Sequence, residues 1–305
     1  MASDYVIALG SVSGITLSSG DTMEVLNGGT AISTAILDGG LLTVSWGGAA
    51  PATQVEAGGV LTVSSGGTAS ATQVDASGNE TVESGAIGIG TTILDGGLLT
   101  VSSGGSATST SIHSGGSAII ESGGSAIFAS IDSGGVETVM AGAVTENVSV
   151  FGELDVDGAA FFVDVSNGGT LSVGNGGSVN IAYVSNGGIE TIGAGGSDGG
   201  TIVQGGEQDV GGVAIGTEVN DGVQIVEAGG TASFTAIGET EIVEAGGVDV
   251  GATVGGGEQD VYGSALGTIV NGGSQIDGRQ GKINAPRPAA SARARRQTAW
   301  TKMTA

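Results

Sequence analysis

The sequence predicts an all-β chain wound as a parallel β-helix, a β-solenoid of about 15 coils of 16 to 19 residues. Three observations carry the prediction: a repeat of nineteen residues, two unbroken aliphatic columns within it, and paired glycines that punctuate it. Such a unit is too short for a helical hairpin and poor in helix formers, while its β-branched residues favour strands. One unit cannot bury its apolar side alone. Stacked units can, because each valine then lies over the next and backbone hydrogen bonds run from coil to coil.

The repeat is plain in the text of the chain. GGTASATQVDASGNETV at 66–82 nearly restates GGAAPATQVEAGGVLTVSS, the nineteen residues before it. In rows of nineteen, Gly28, Gly47, Gly66, Gly85, Gly104, Gly123 and Gly142 share one column, and Gly40, Gly59, Gly78, Gly97, Gly116 and Gly135 another. Each row thus reads as two glycine-closed segments of about eight and eleven residues, with glycine permitting positive φ at recurring corners. Leu17, Ile36, Val55, Val74, Ile93, Ile112, Ile131 and Val150 form one aliphatic ladder, and Val25, Val44, Val63, Val82, Val101, Ile120 and Val139 the other. Threonines run beside them at 34, 53, 72, 91 and 110, and at 43, 62, 81, 100 and 138.

Taken in order, the register starts near Leu9, which leaves little room for a removable leader, and stays regular over 9–141. Over 142–276 the rows vary in length, and GGEQDVGG at 205–212 returns as GGEQDVYG at 256–263. Residues 1–276 therefore form one repeat solenoid. The pattern stops at 277–305, a basic tail expected to be disordered. It reads as the truncated or frame-shifted end of a longer repeat protein, or else as a basic arm for an anionic surface.

Composition narrows the function. The net charge is −24, and all seven Lys and Arg lie between Arg279 and Lys302, so the body should repel nucleic acid. There is no Cys, hence neither disulfide nor thiol chemistry. No Sec-type signal peptide and no apolar run long enough for a membrane helix is visible.

Runs such as GGLLTVSSGGSATSTSIHSGG and GGVLTVSSGGTASATQVDASG resemble the AIDA-type repeats of bacterial autotransporter adhesins, over essentially residues 9–276. The resemblance implies a right-handed β-helix passenger exposed on the cell that mediates adhesion and aggregation. The signal sequence and C-terminal barrel of a whole autotransporter are not recognisable in this chain, so it reads as a fragment or as a protein exported by another route. Some members carry sugars on repeat serines. The matching column here is Ser65, Ser84, Ser103 and Ser122, which are candidate glycan acceptors; serine is also an ordinary turn residue.

Other chemistries find little support. Parallel β-helices also carry polysaccharide lyases and hydrolases, but the body has no Lys or Arg, and the acid pairs Glu207/Asp209 and Glu258/Asp260 are duplicated, unlike a single active site. These pairs read as solvated acids with weak divalent-cation binding as the alternative, and Glu56 and Asp75 fall on adjacent coils. GGSDGG at 195–200 does not match the calcium-roll repeat. His113, the only His, reads as a solvent-facing corner residue, and no transition-metal site can be assembled. Paired glycines without GxxxxGK are turns, not a phosphate loop. A flat ice-binding array would need a second regular Thr row beside the outward Thr43 column, and there is none.

The sequence therefore predicts a cell-surface or secreted adhesin-type structural passenger, neither an enzyme nor dependent on a cofactor. Its expected partners are a host-cell surface, a neighbouring cell or another copy of itself. A carbohydrate-active β-helix enzyme and a nonfunctional remnant are the alternatives.

Overall fold

The computed structural model describes residues 2–278 and the backbone of 282–284. Its 42 strands belong to one continuous sheet, and every pairing is parallel. The first strand of each coil lies on the first strand of the next, from Asp4↔Thr22 and Thr22↔Leu41 to Glu258↔Ser274, in fifteen steps of 16 to 19 residues. This is a parallel β-solenoid, and its backbone groups are satisfied between coils along the whole rod. At ~4.8 Å per coil the rod is about 70 Å long.

The coil has three sides, not the two that the glycines mark. In one regular coil the strands are Leu41–Val44, Ala49–Pro51 and Gln54–Val55; we call their sides the first, second and third faces. Side chains alternate along each strand, so Leu42 and Val44 of the first face point inward while Leu41 and Thr43 point out. Both predicted ladders are interior: Val44 and Val63 belong to the first face, Val55 and Val74 to the third, all fully buried. A third inward column, Met23, Leu42, Leu61 and Leu99, had the same parity as Val25, Val44, Val63 and Val101. The small Ala31, Ala50, Ala69 and Ala107 and the threonines at 34, 53, 72, 91 and 110 fill the narrow angle opposite.

The glycine pairs serve two purposes. Gly39 takes φ 71°, as the sequence implied for corner glycines. Its neighbour Gly40 does not; instead a Cβ there would sit 2.6 Å from the Leu17 carbonyl oxygen of the preceding coil. The column containing Gly40 is thus fixed by close stacking, which corrects the expectation of positive φ there. The corner between the second and third faces carries no glycine signature in most coils. It is turned by one left-handed residue, among them Ser33, Ala52, Ala71, Ser109, Phe128, Phe162 and Phe234, with φ between 50° and 59°. Each such residue costs of order 1–3 kcal/mol, which the ladders on either side must hold in place.

The first strand begins at Asp4, before the expected start near Leu9. Asp21 ties this end down: its carboxylate accepts from Ser3 N at 2.7 Å and from Ser18 N and Oγ at 2.9 and 2.8 Å. At the other end, the backbone of 282–284 pairs with Ser264–Leu266. The remainder of the predicted basic tail, including Arg279, Arg287 and Lys302, lies outside the described residues.

Candidate functional site

A rod without a cleft works through its outer surface, so the outward positions of each face are the candidate site. The first face carries Thr43, Thr62, Thr81 and Thr100 in register, pointing outward as the parity of the strand requires. The corner after it carries Ser65, Ser84, Ser103 and Ser122. All four are exposed, each in a two-residue turn, and they stack coil upon coil through the glycine backbone, as in Gly85 N to Gly104 O at 2.8 Å. One hydroxyl every ~4.8 Å along an edge is accessible to a modifying enzyme and to a binding partner.

The acid pairs also face outward on the first face. Glu207 and Asp209 flank the inward Gln208, and Glu258 and Asp260 flank the inward Gln259. Partial burial, then the negative charges of Glu207, Glu227 and Glu244, push the Asp209 carboxyl up to about 6. Among the described residues no three of His, Asp and Glu converge as metal ligands. Glu56 and Asp75 do stand on adjacent coils, and Asp75 accepts from Gln73 Nε2 at 2.9 Å. His113 is half-exposed at its corner and is not alone there: Nδ1 contacts Asp132 Oδ2 of the next coil at 2.5 Å.

The second face and its left-handed corner are different in kind. Of the 31 acids in the chain, only Glu146 occupies an outward position here between Thr30 and Leu266. Ile87, Ile89, Phe161, Ile215 and Leu266 are exposed on the face, and Phe128, Phe162 and Phe234 stand out from the corner.

Sequence reasoning missed the carboxyls inside the rod. Glu80, Glu137, Glu190 and Glu241 occupy the inward position held elsewhere by Leu42 or Leu61, and they recur every third coil. Thr91 Oγ1 donates to Glu80 at 2.9 Å and Thr145 Oγ1 to Glu137 at 2.8 Å, while the second oxygen of each carboxyl has no partner. Burial pushes both acids up to about 7. Glu190 lies near Asp198, and Glu241 near Asp249. In each pair one glutamine amide bridges both carboxyls: Gln208 Nε2 at 2.8 and 3.3 Å, Gln259 Nε2 at 2.6 and 2.9 Å. Loss of hydration raises all four; the Asp198 and Asp249 charges raise Glu190 and Glu241 further. Gln224 and Gln275 extend the amide ladder, donating to Gln208 Oε1 at 2.7 Å and Gln259 Oε1 at 2.5 Å. The signal was available: Glu80 is two residues before Val82, hence on the same side of its strand.

Residues 46–97 match the family model described as the adhesin of the bacterial autotransporter system, probable stalk. Across the whole rod, the chain is 33% identical to a crystallised fragment of TibA that was hyper-glycosylated in a TibC-catalysed reaction. The match covers 94% of this chain and 100% of that fragment, with a TM-score of 0.66. The chain belongs to the AIDA-type autotransporter adhesins. No curated protein matches it significantly. It is an adhesin passenger, and that places its role at the cell surface or outside the cell. Family and fold point to a structural role. No described helix is long and apolar enough to cross a membrane.

Proposed function

We propose that this passenger adheres by repetition: the stiff rod holds exposed Ser, Thr and acidic side chains at one spacing, and many weak contacts with a host cell, a neighbouring cell or another copy act together. The observation that carries the reading is the coil-to-coil register of the first-face columns, kept at every step from Asp4 to Asp277, while the third face slips register only at Ser185 and Gln204. Linked contacts gain roughly 10²–10⁴ in avidity over one contact, provided that the geometry lets them engage together. We further propose that Ser65, Ser84, Ser103 and Ser122 are glycan acceptors. Their exposure at a two-residue turn supports this, as does the hyper-glycosylation of the similar TibA fragment.

Latex beads coated with the natively expressed chain test both parts. Beads carrying it should clump or settle on cells and lose this when the protein is digested away; beads that behave like uncoated ones refute the adhesive reading. The intact mass should exceed 29.0 kDa by a whole number of sugar units. A mass equal to the bare chain refutes the modification.

A further inference from the structure

The second face and its left-handed corner form a band of three outward residues per coil that is almost free of charge. The other faces are not. Glu207, Asp209, Glu258 and Asp260 lie on the first face, Glu83, Glu121, Glu227 and Glu244 at the corner after it, and Asp164 and Glu218 on the third. Two rods of net charge −24 repel wherever acids meet acids, and no Lys or Arg on the body can offset this.

The band is also apolar beyond what a lone rod requires. Phe128, Phe162 and Phe234 are 58%, 47% and 69% exposed, and Ile87 and Ile89 are 43% exposed, on a face that could as well carry threonine throughout. Over about fourteen coils of ~4.8 Å and a width of ~13 Å, it offers roughly 900 Å² per copy, comparable to the ~800 Å² that a specific interface buries on each side. Hydroxyls at Thr30, Thr68, Ser70, Ser106 and Ser125 separate the apolar residues, which keeps the surface soluble when unpaired.

We propose that this band is the surface through which two copies of the chain mate, face against face. The inference rests on the self-association part of the proposed function and adds its location. A like face on a second copy is the partner that fits. It meets apolar and hydroxyl groups with the same, and it leaves the acids of both rods on the outside.

The absence of Cys makes single cysteines clean reporters. Ile127 and Ile119 are matched half-buried isoleucines in the seventh coil, near the middle of the rod, on the second and first faces respectively. Rods that overlap fully bring the two Ile127 residues near one another whichever way they run. With the full chain in about 0.5 M NaCl to screen repulsion, a flexible bis-maleimide should link Ile127→Cys into dimers about tenfold faster than Ile119→Cys. Circular dichroism checks that both fold. As a second reading, Ile89→Asp with Phe128→Asp should raise the concentration needed for association about tenfold, whereas Leu98→Asp with Ile119→Asp on the first face should change it less than about twofold. Wild-type chain that associates while Ile119→Cys links as fast as Ile127→Cys overturns the band and leaves self-association standing. Wild-type chain that stays monomeric at every salt concentration overturns both.

Discussion

Up to Val173 the rod is closed around aliphatic side chains, interrupted only at Glu80 and Glu137; from Glu190 onward the same inward positions hold a continuous polar spine. Leu42, Leu61, Leu99, Leu154 and Leu171 in the first region correspond to Glu190, Gln208, Gln224, Glu241 and Gln259 in the second. One continuous apolar cluster runs from Leu17 to Ala214, but beyond it the interior splits into two small clusters, one around Val226 and Val243, the other around Ile237 and Val254. Both regions keep the three-sided parallel coil, although its steps shorten to 16 to 18 residues from Ile189 onward and the third face slips register at Ser185 and Gln204. What sets its shape is therefore the backbone ladder and the stacked corners, while the inward residues set how firmly it closes and at what pH. A column of amides is tolerated because each glutamine finds a partner in an adjacent coil, as Gln224 does in donating to Gln208 and Gln275 in donating to Gln259.

The two regions should answer differently to the same insult. Truncating the aliphatic column by Leu42→Ala, between Met23 and Leu61, should cost about 2–5 kcal/mol in urea unfolding, by lost burial and the cavity left behind. That loss should be the same at pH 5 and pH 8, since it removes no titrating group. In the polar region, Glu241→Gln replaces a carboxyl that folding keeps protonated with an amide of similar shape. It should leave stability at pH 5 close to that of wild type and raise it at pH 8, because burial and the Asp249 charge hold the Glu241 carboxyl well above the ordinary carboxylate range. A variant equally destabilised at both pH values would show that Glu241 is held as a carboxylate instead.

The sign follows from which state binds the proton. An acid raised by burial keeps its proton in the folded rod and loses it in the unfolded chain, so unfolding releases protons above the ordinary carboxylate range. The stabilisation is complete below about pH 4 and is lost as pH rises through the folded values, which are about 7 for Glu80 and Glu137. Asp21 acts in the opposite sense. Hydrogen bonds from Ser18 and Ser3 lower it, so its small contribution disappears only in strong acid.

Much of this was legible in the sequence. The nineteen-residue period and the Val44 and Val55 columns fixed the stacking, because an aliphatic residue repeated at one register has nowhere to go but inward. The third face was not legible, since its corner is made by ordinary residues such as Ala52 and Ala71 in a left-handed conformation, and only stacking forces them there. The serine column could be placed at an exposed corner because the adjoining glycines marked the turn. The buried carboxyls were hidden by chemistry: Glu is rarely interior, and only strand parity places Glu80 and Glu190 beside valine. The uncharged second face is a property of three-dimensional neighbours, visible once the coil is known to have three sides.

Hydrogen exchange of the native chain at pH 5 and pH 8, followed region by region and corrected for intrinsic rates, tests the comparison most directly. Amides of residues 189–277 should lose protection on going to pH 8 by about a hundredfold more than amides of residues 16–62, where the one buried acid, Asp21, is held below its ordinary value, a difference of roughly 3 kcal/mol. Equal loss in both regions, or greater loss in 16–62, would contradict it.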